Sequence, residues 1–236
     1  DYRDMESELP LIREFLRQRT KDVDASSVIL VDSYQVTSGY YEELRTMAKV
    51  ACLEDMGQSY PVDLLINYNI YGPKLVYDNK IIHATLLGTG YQPLRREFQQ
   101  DIQYDINDKI TDVMITTGGS DPYFAARAFT DTFLFEKELE KSQIRYHIIS
   151  GPFNMHAEEL HKLYDENPRV EIHEHVTCMK EIMKQCDVVL SATGSTIYEV
   201  SALGVPLIAF YFAENQRQGA EMLSIAEIMQ MTLNRQ

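Results

Sequence analysis

The sequence predicts an α/β protein built as two Rossmann-like domains, each a parallel sheet with helices packed against it. Three observations carry that expectation. Short β-rich apolar runs alternate with stretches of helical period along most of the 236 residues. Several of those runs end in small or polar residues, as strands do where an open parallel sheet binds ligand. The alternation lapses near residues 98–110, which are polar, and then restarts. The domains are therefore expected at residues 1–100 and 108–236.

In chain order, Leu9, Ile12 and Leu16 recur at helical spacing. Val28–Val31 is a strand ending at Asp32, followed by a helical stretch from Tyr40 to Lys49. Strands at Val50–Leu53, Asp63–Ile66 and Thr85–Gly88 complete the first domain. In the second, Val113–Thr117 leads through Gly118-Gly119 into a helix from Pro122, with Ser120 or Asp121 as its cap. Strands follow at 145–149, 170–172, 188–190 and 206–210, with helices at 156–164, 179–184 and 195–202 between them. The charged run from Glu136 to Lys141 reads as a solvated face.

Composition sets limits on function. The formal net charge of −14 repels a polyphosphate backbone, which argues against a nucleic-acid partner. A small nucleotide remains compatible, because helix N-termini and glycine turns bind phosphate through backbone N–H groups. Cys52, Cys178 and Cys186 lack a C-x-x-C spacing and read as thiols of a reducing cytoplasm. No apolar run reaches the roughly 18 residues of a membrane span. The chain begins at Asp1 and enters an amphipathic stretch at once, so upstream sequence is expected.

Two glycine turns stand out. Thr116-Thr117-Gly118-Gly119-Ser120-Asp121-Pro122 joins a strand to a helix through residues that let a phosphate approach the backbone. Ser191-Ala192-Thr193-Gly194-Ser195-Thr196-Ile197-Tyr198-Glu199 repeats the arrangement. Glu199 lies one turn into its helix, on the face of Ser195, where it could accept hydrogen bonds from ribose hydroxyls. Neither turn matches G-x-G-x-x-G or the P-loop, which disfavours a dinucleotide cofactor or ATP hydrolysis. His173 and His175 share a face of a strand without an evident third ligand, so no metal is expected. Glu54-Asp55 is a weak acid/base candidate, and Tyr60, Tyr68, Tyr71 and Tyr77 could either stack on a sugar or pack a core.

In order, Val31-Asp32-Ser33-Tyr34, Leu53-Glu54-Asp55, Ile66-Asn67-Tyr68-Asn69 and Leu87-Gly88-Thr89-Gly90-Tyr91-Gln92-Pro93-Leu94-Arg95-Arg96-Glu97-Phe98 resemble the first domain of the UDP-sugar hydrolases of pseudaminic acid synthesis. Gly118-Gly119-Ser120-Asp121, Gly194 to Glu199 and Glu214-Asn215-Gln216 resemble the second. Spore-coat polysaccharide biosynthesis proteins of the glycosyltransferase type share the pattern, and the lipid-II-forming N-acetylglucosaminyltransferase is a more distant relative. The resemblance covers about residues 28–218 and implies the two-domain glycosyltransferase B architecture.

It further implies a UDP-sugar as substrate, with no cofactor and no metal, and an enzyme that hydrolyses a UDP-linked deoxy amino sugar. An inverting transferase or a non-catalytic nucleotide-sugar module are the alternatives. By the same resemblance Gly118, Gly119 and Ser120 would face the diphosphate, and Gly194, Ser195 and Thr196 the α-phosphate. Glu199 would hold ribose, and the segment from His175 through Val176 to Met179 would sit near uracil. Asn215 and Gln216 would reach the sugar, and Asn69, Tyr91 and Arg95 would line the acceptor side from the first domain. The family's Gly-rich loop bearing a catalytic His has no counterpart among the six histidines, so the first domain is expected to be truncated and no catalytic residue is assigned. The oligomeric state is not legible.

Overall fold

A computed structural model of the chain describes residues 4–19, 27–99, 104–136, 139 and 142–223, with the backbone alone at position 215. The chain divides into two compact units, Asp1–Pro93 and Leu94–Gln236. Each contains one wholly parallel sheet, of four strands in the first and five in the second.

The first unit opens with a 3-10 turn and helix α1 (Leu9–Arg19). Strand β1 (Val28–Val31), helix α2 (Ser38–Arg45) and strands β2 (Lys49–Leu53), β3 (Leu64–Asn67) and β4 (Ala84–Leu87) follow. The strands lie in sequence order. Helix α2 starts where Thr37 Oγ1 accepts the Tyr40 N–H at 3.2 Å, a side-chain cap satisfying one of the free donors of the first turn. It seats Tyr40, Tyr41 and Leu44 on Val50, Cys52 and Leu65 of the sheet, with Met5, Leu9 and Ile12 packed alongside.

The second unit runs β5 (Asp112–Thr116), α3 (Ala125–Phe135), β6 (Arg145–Ser150), α4 (Ala157–Tyr164), β7 (Val170–Glu174), α5 (Met179–Gln185), β8 (Val188–Ala192), α6 (Thr196–Leu203), β9 (Leu207–Phe210) and α7 (Glu214–Leu223). Its strand order is β7-β6-β5-β8-β9. Alternation along each strand sends side chains to two cores. Met114, Ile149, Val189, Met183, Val200 and Leu203 fill one face. Ile115, Ile148, Tyr146, Leu134 and Leu160 fill the other. No helix among the described residues is long and apolar enough to cross a membrane.

Four expectations need correction. The boundary between units lies at Pro93 rather than near residue 100, because Phe98 is buried among Met114, Ile149 and Val200 and Leu94 packs beside it. Helix α3 starts at Ala125, not Pro122. Asp121 folds back to accept the N–H groups of Ala125 at 2.7 Å and Ala126 at 2.9 Å, and the intervening residues form a turn. Strand β7 extends to Glu174, beyond the apolar run. Helix α7 was not expected at all: its start, Glu214-Asn215-Gln216-Arg217, is polar, and Gly219 interrupts its period. The charged run 136–141 lies mostly outside the described residues.

Candidate nucleotide site

In the second unit, the chain passes to one side of β5 for β6 and β7 and to the other for β8 and β9. The carboxyl ends of β5 and β8 therefore flank a topological switch point, where an open α/β sheet leaves a crevice for ligand. A cleft of about 590 Å³ occupies this position. Both glycine turns open onto it: Thr116 to Ser120 after β5, and Gly194, Ser195 and Thr196 after β8.

The glycines serve different purposes. Gly118 has φ +87°, a left-handed backbone in which a Cβ is strained. Gly194 has a negative φ or an extended one, and a Cβ there would meet nothing within 4 Å. Its lack of a side chain leaves free space on the cleft wall. Gly151, in the turn after β6, is packed most tightly: a Cβ would lie 2.2 Å from the Gly118 carbonyl and 2.6 Å from that of Gly119. The Phe153 N–H donates to the Gly119 carbonyl at 2.9 Å and ties the two turns together.

Helix α6 aims its N-terminus into the cleft, with Thr196 as first residue and Ser195 as cap. The Ser195 hydroxyl makes no capping bond. First-turn N–H groups have no intrahelical partner and carry partial positive charge. No Lys or Arg lines the cleft among the described residues. An anion would be held there by backbone dipoles and hydroxyls.

The end of β7 forms the opposite wall. His175 takes φ +52°, unusual for a residue with a Cβ, and with Val176 and Met179 it lines the cleft. Asn154 lines it as well, its amide donating to Ser150 Oγ at 3.2 Å and its carbonyl accepting the His156 N–H at 3.0 Å. Gln216 reaches the cleft from α7, where its side-chain oxygen accepts the Phe212 N–H at 3.3 Å.

Thus Gly118, Gly119, Ser120, Val176, Met179, Gly194, Ser195, Thr196 and Gln216 meet around one cavity. Glu199 does not line it. It is buried one turn along α6, and Arg95 grips it with Nε to Oε1 at 2.6 Å and Nη2 to Oε2 at 2.9 Å. Arg95 also contacts Glu97 at 3.1 Å and belongs to the second unit, not the first. The Asn215 side chain lies outside the described residues.

Ser150, Gly151, Asn154, His175 and Phe212 line the cleft without having been singled out as ligand-binding residues, apart from the His175 segment. Gly151-Pro152 directly after a strand is the signal that could have found the third turn.

Asn69 and Tyr91 stay in the first unit. Asn69 joins Asp32, Tyr34, Glu54, Asp55, Tyr60 and Tyr68 around a small cavity of about 80 Å³ at the carboxyl ends of β1 to β3. Tyr91 ends a 3-10 turn and is half exposed. Glu54 is occupied structurally, accepting the N–H groups of Met56, Gly57 and Gln58 and the Tyr77 hydroxyl. Burial raises the pKa of Asp55, an effect partly offset by a 2.6 Å hydrogen bond from Tyr34.

Residues 113–229 match the glycosyltransferase family 28 C-terminal domain. The chain is 26% identical over 221 residues to the Helicobacter pylori "pseudaminic acid cytidylyltransferase and UDP-2,4-diacetamido-2,4,6-trideoxy-beta-L-altropyranose hydrolase", covering 89% of this chain and 39% of that protein. It is 25% identical over 185 residues to the Bacillus subtilis spore coat polysaccharide biosynthesis protein SpsG, covering 75% and 52%. The pneumococcal O-GlcNAc transferase GtfA, solved with UDP and GlcNAc, shares the fold at TM-score 0.55 and 13% identity, covering 97% of this chain and 54% of that one. The chain thus spans about two-fifths to one-half of the length of these relatives.

Proposed function

We propose that the second unit binds the UDP part of a UDP-linked sugar, and that the protein containing it hydrolyses a UDP-linked deoxy amino sugar to UDP and free sugar. The observation that carries this reading is the meeting of the Gly118-Gly119 and Gly194-Ser195-Thr196 turns at the switch point, beside the N-terminus of α6. That geometry suits a diphosphate held by backbone N–H groups. Similarity to the Helicobacter pylori protein supports a hydrolase of the nonulosonic acid pathways.

In this reaction water adds to the anomeric carbon as the bond from that carbon to the β-phosphate oxygen breaks. UDP leaves with the bonding electrons, and the water gives up one proton. Backbone dipoles at the two turns stabilise the charge growing on the leaving diphosphate. Val176 and Met179, with the turned backbone at His175, form the wall for the uracil ring. Gln216 lies on the sugar side. We assign the ribose to Glu199, which lies one turn along α6 from the cleft-lining Ser195 and Thr196 and is held in place by Arg95.

A second reading, an inverting glycosyltransferase with the same donor site, is favoured by the family 28 match. Incubation with UDP-linked amino sugars, followed by phosphorus and proton NMR, separates the two. UDP and free sugar formed without any acceptor support hydrolysis. UDP release that requires an added sugar or lipid acceptor would replace hydrolysis with transfer, and no turnover under either condition counts against both.

A further inference from the structure

Away from the cleft, on the face of the second sheet shared by Met114 and Ile149, three potential metal-binding side chains converge: His147 of β6, and Glu171 and His173 of the edge strand β7. None of them lines the cleft. The parallel register places His147 beside Glu171 and Ile149 beside His173, so alternation brings all three to one face. His147 Nδ1 lies 3.1 Å from His173 Nε2, and the Glu171 carboxylate oxygens lie 3.6 Å from the first and 3.7 Å from the second. The pairing that the sequence suggested, His173 with His175, is not the one formed.

The second sphere is also present. His147 is almost fully buried, and its Nε2 meets Asp112 Oδ1 at 2.9 Å. Asp112 is further held by Arg145 at 2.7 Å and by the Thr111 hydroxyl at 2.8 Å. The Asp112 carboxylate, accepting at His147 Nε2, orients the ring so that Nδ1 faces His173 and Glu171. This is the carboxylate–histidine arrangement that orients histidine ligands in metal sites.

We propose that His147 Nδ1, His173 Nε2 and the Glu171 carboxylate form a binding site for a divalent transition metal of the zinc type. Two imidazoles and one carboxylate suit zinc rather than magnesium or calcium, which prefer all-oxygen sets. Zinc–nitrogen bonds of about 2.0–2.1 Å at tetrahedral angles put the nitrogens roughly 3.3 Å apart, near the spacing observed. The metal replaces the hydrogen bond between the two rings. The His173 proton passes from Nε2 to Nδ1, so both imidazoles stay neutral and no net proton is lost at this pair. Three protein ligands leave a fourth position for water. The ion would tie β7 to β6 just upstream of Glu174 and His175, which form a wall of the cleft.

The test uses the whole 236-residue chain, freed of metal with a chelator, then titrated with zinc by calorimetry and with cobalt(II) by visible absorption. Expected are one equivalent of zinc and intense cobalt bands of a tetrahedral site. Both should be lost in His173→Gln and zinc affinity weakened by about tenfold or more in Glu171→Gln. Circular dichroism establishes that the variants remain folded; Glu171 is exposed and His173 is partly buried at the edge strand. His161→Gln is the control: that histidine already pairs with Asp165 and Glu174 elsewhere on the surface, and its loss should change nothing. Absence of stoichiometric binding to the parent chain, binding that survives His173→Gln, or loss in His161→Gln would each overturn the assignment.

Discussion

Arg95 and Glu199, 104 positions apart in sequence, form a bidentate ion pair that joins the segment after Pro93 to helix α6, whose N-terminus lines the candidate cleft. The carboxylate is the more buried partner, with 12% of its side chain exposed against 45% for Arg95. Burying a carboxylate is costly without a partner, so this pair anchors Leu94–Phe98 to α6. Each oxygen keeps a lone pair for a second donor.

Removing either partner should therefore separate stability from binding. Arg95→Ala is expected to cost about 1–2 kcal/mol in urea unfolding, reduced from the cost of breaking a fully buried pair because the guanidinium is partly solvated. UDP affinity should change little. Glu199→Ala should weaken UDP binding about tenfold, the worth of one charge-assisted hydrogen bond. Equal affinity in Glu199→Ala and the parent chain would remove Glu199 from the ribose site.

Three of the four cleft glycines should respond differently to alanine. Gly151→Ala places a methyl group against two carbonyl oxygens and should cost about 1–3 kcal/mol. Gly118→Ala at positive φ should cost about 1–2 kcal/mol. Gly194→Ala meets open space and should leave the melting temperature unchanged while filling room kept for ligand. Thermal unfolding of the three variants checks this order.

Asp187 accepts the N–H groups of Thr111 and Asp112 at 2.7 and 3.0 Å, the Thr111 hydroxyl at 3.1 Å and the Asn107 amide at 2.6 Å. Burial acts to raise its pKa, but those hydrogen bonds outweigh it and the pKa is lowered. A lowered folded-state pKa adds stability that is present above the unfolded value of about 3.9 and lost as pH falls through the folded one. Unfolding followed against pH should show stability dropping below about pH 4. In Asp187→Asn that drop should be smaller, from a baseline at neutral pH lower by about 1.5–3 kcal/mol.

Thiol chemistry should distinguish the cysteines. Cys52 and Cys186 are buried, and burial pushes both thiols up to about 12. Cys178 is partly exposed and bonded to Glu97 at 3.0 Å, which raises it less. A thiol reagent at neutral pH should modify Cys178 alone in the folded chain and all three after denaturation. Rapid modification of more than one thiol in the folded chain would contradict this packing.

The strands were legible because buried parallel strands are short apolar runs. Seven of the nine have both ends within one residue of the expected positions, while β7 and β8 each run two residues further, to Glu174 and Ala192. The two glycine turns were legible because each sets Gly and hydroxyl residues between an apolar strand run and a helical period. What escaped depended on contacts distant in sequence. The Arg95–Glu199 pair leaves no local mark, nor does the approach of Gly151 to Gly118. His147 lies inside Arg145–Ser150, a strand whose apolar character hides a histidine until β7 is placed beside it. Helix α7 was hidden by its polar first turn and by Gly219.

The most direct test of the central claim is calorimetric titration of the chain with UDP and with ADP, repeated on Gly194→Ala. The account predicts one UDP site, ADP weaker by about tenfold or more, and loss of UDP binding in a Gly194→Ala variant that melts like the parent. Absence of UDP binding, equal affinity for the two nucleotides, or full affinity in Gly194→Ala would contradict it.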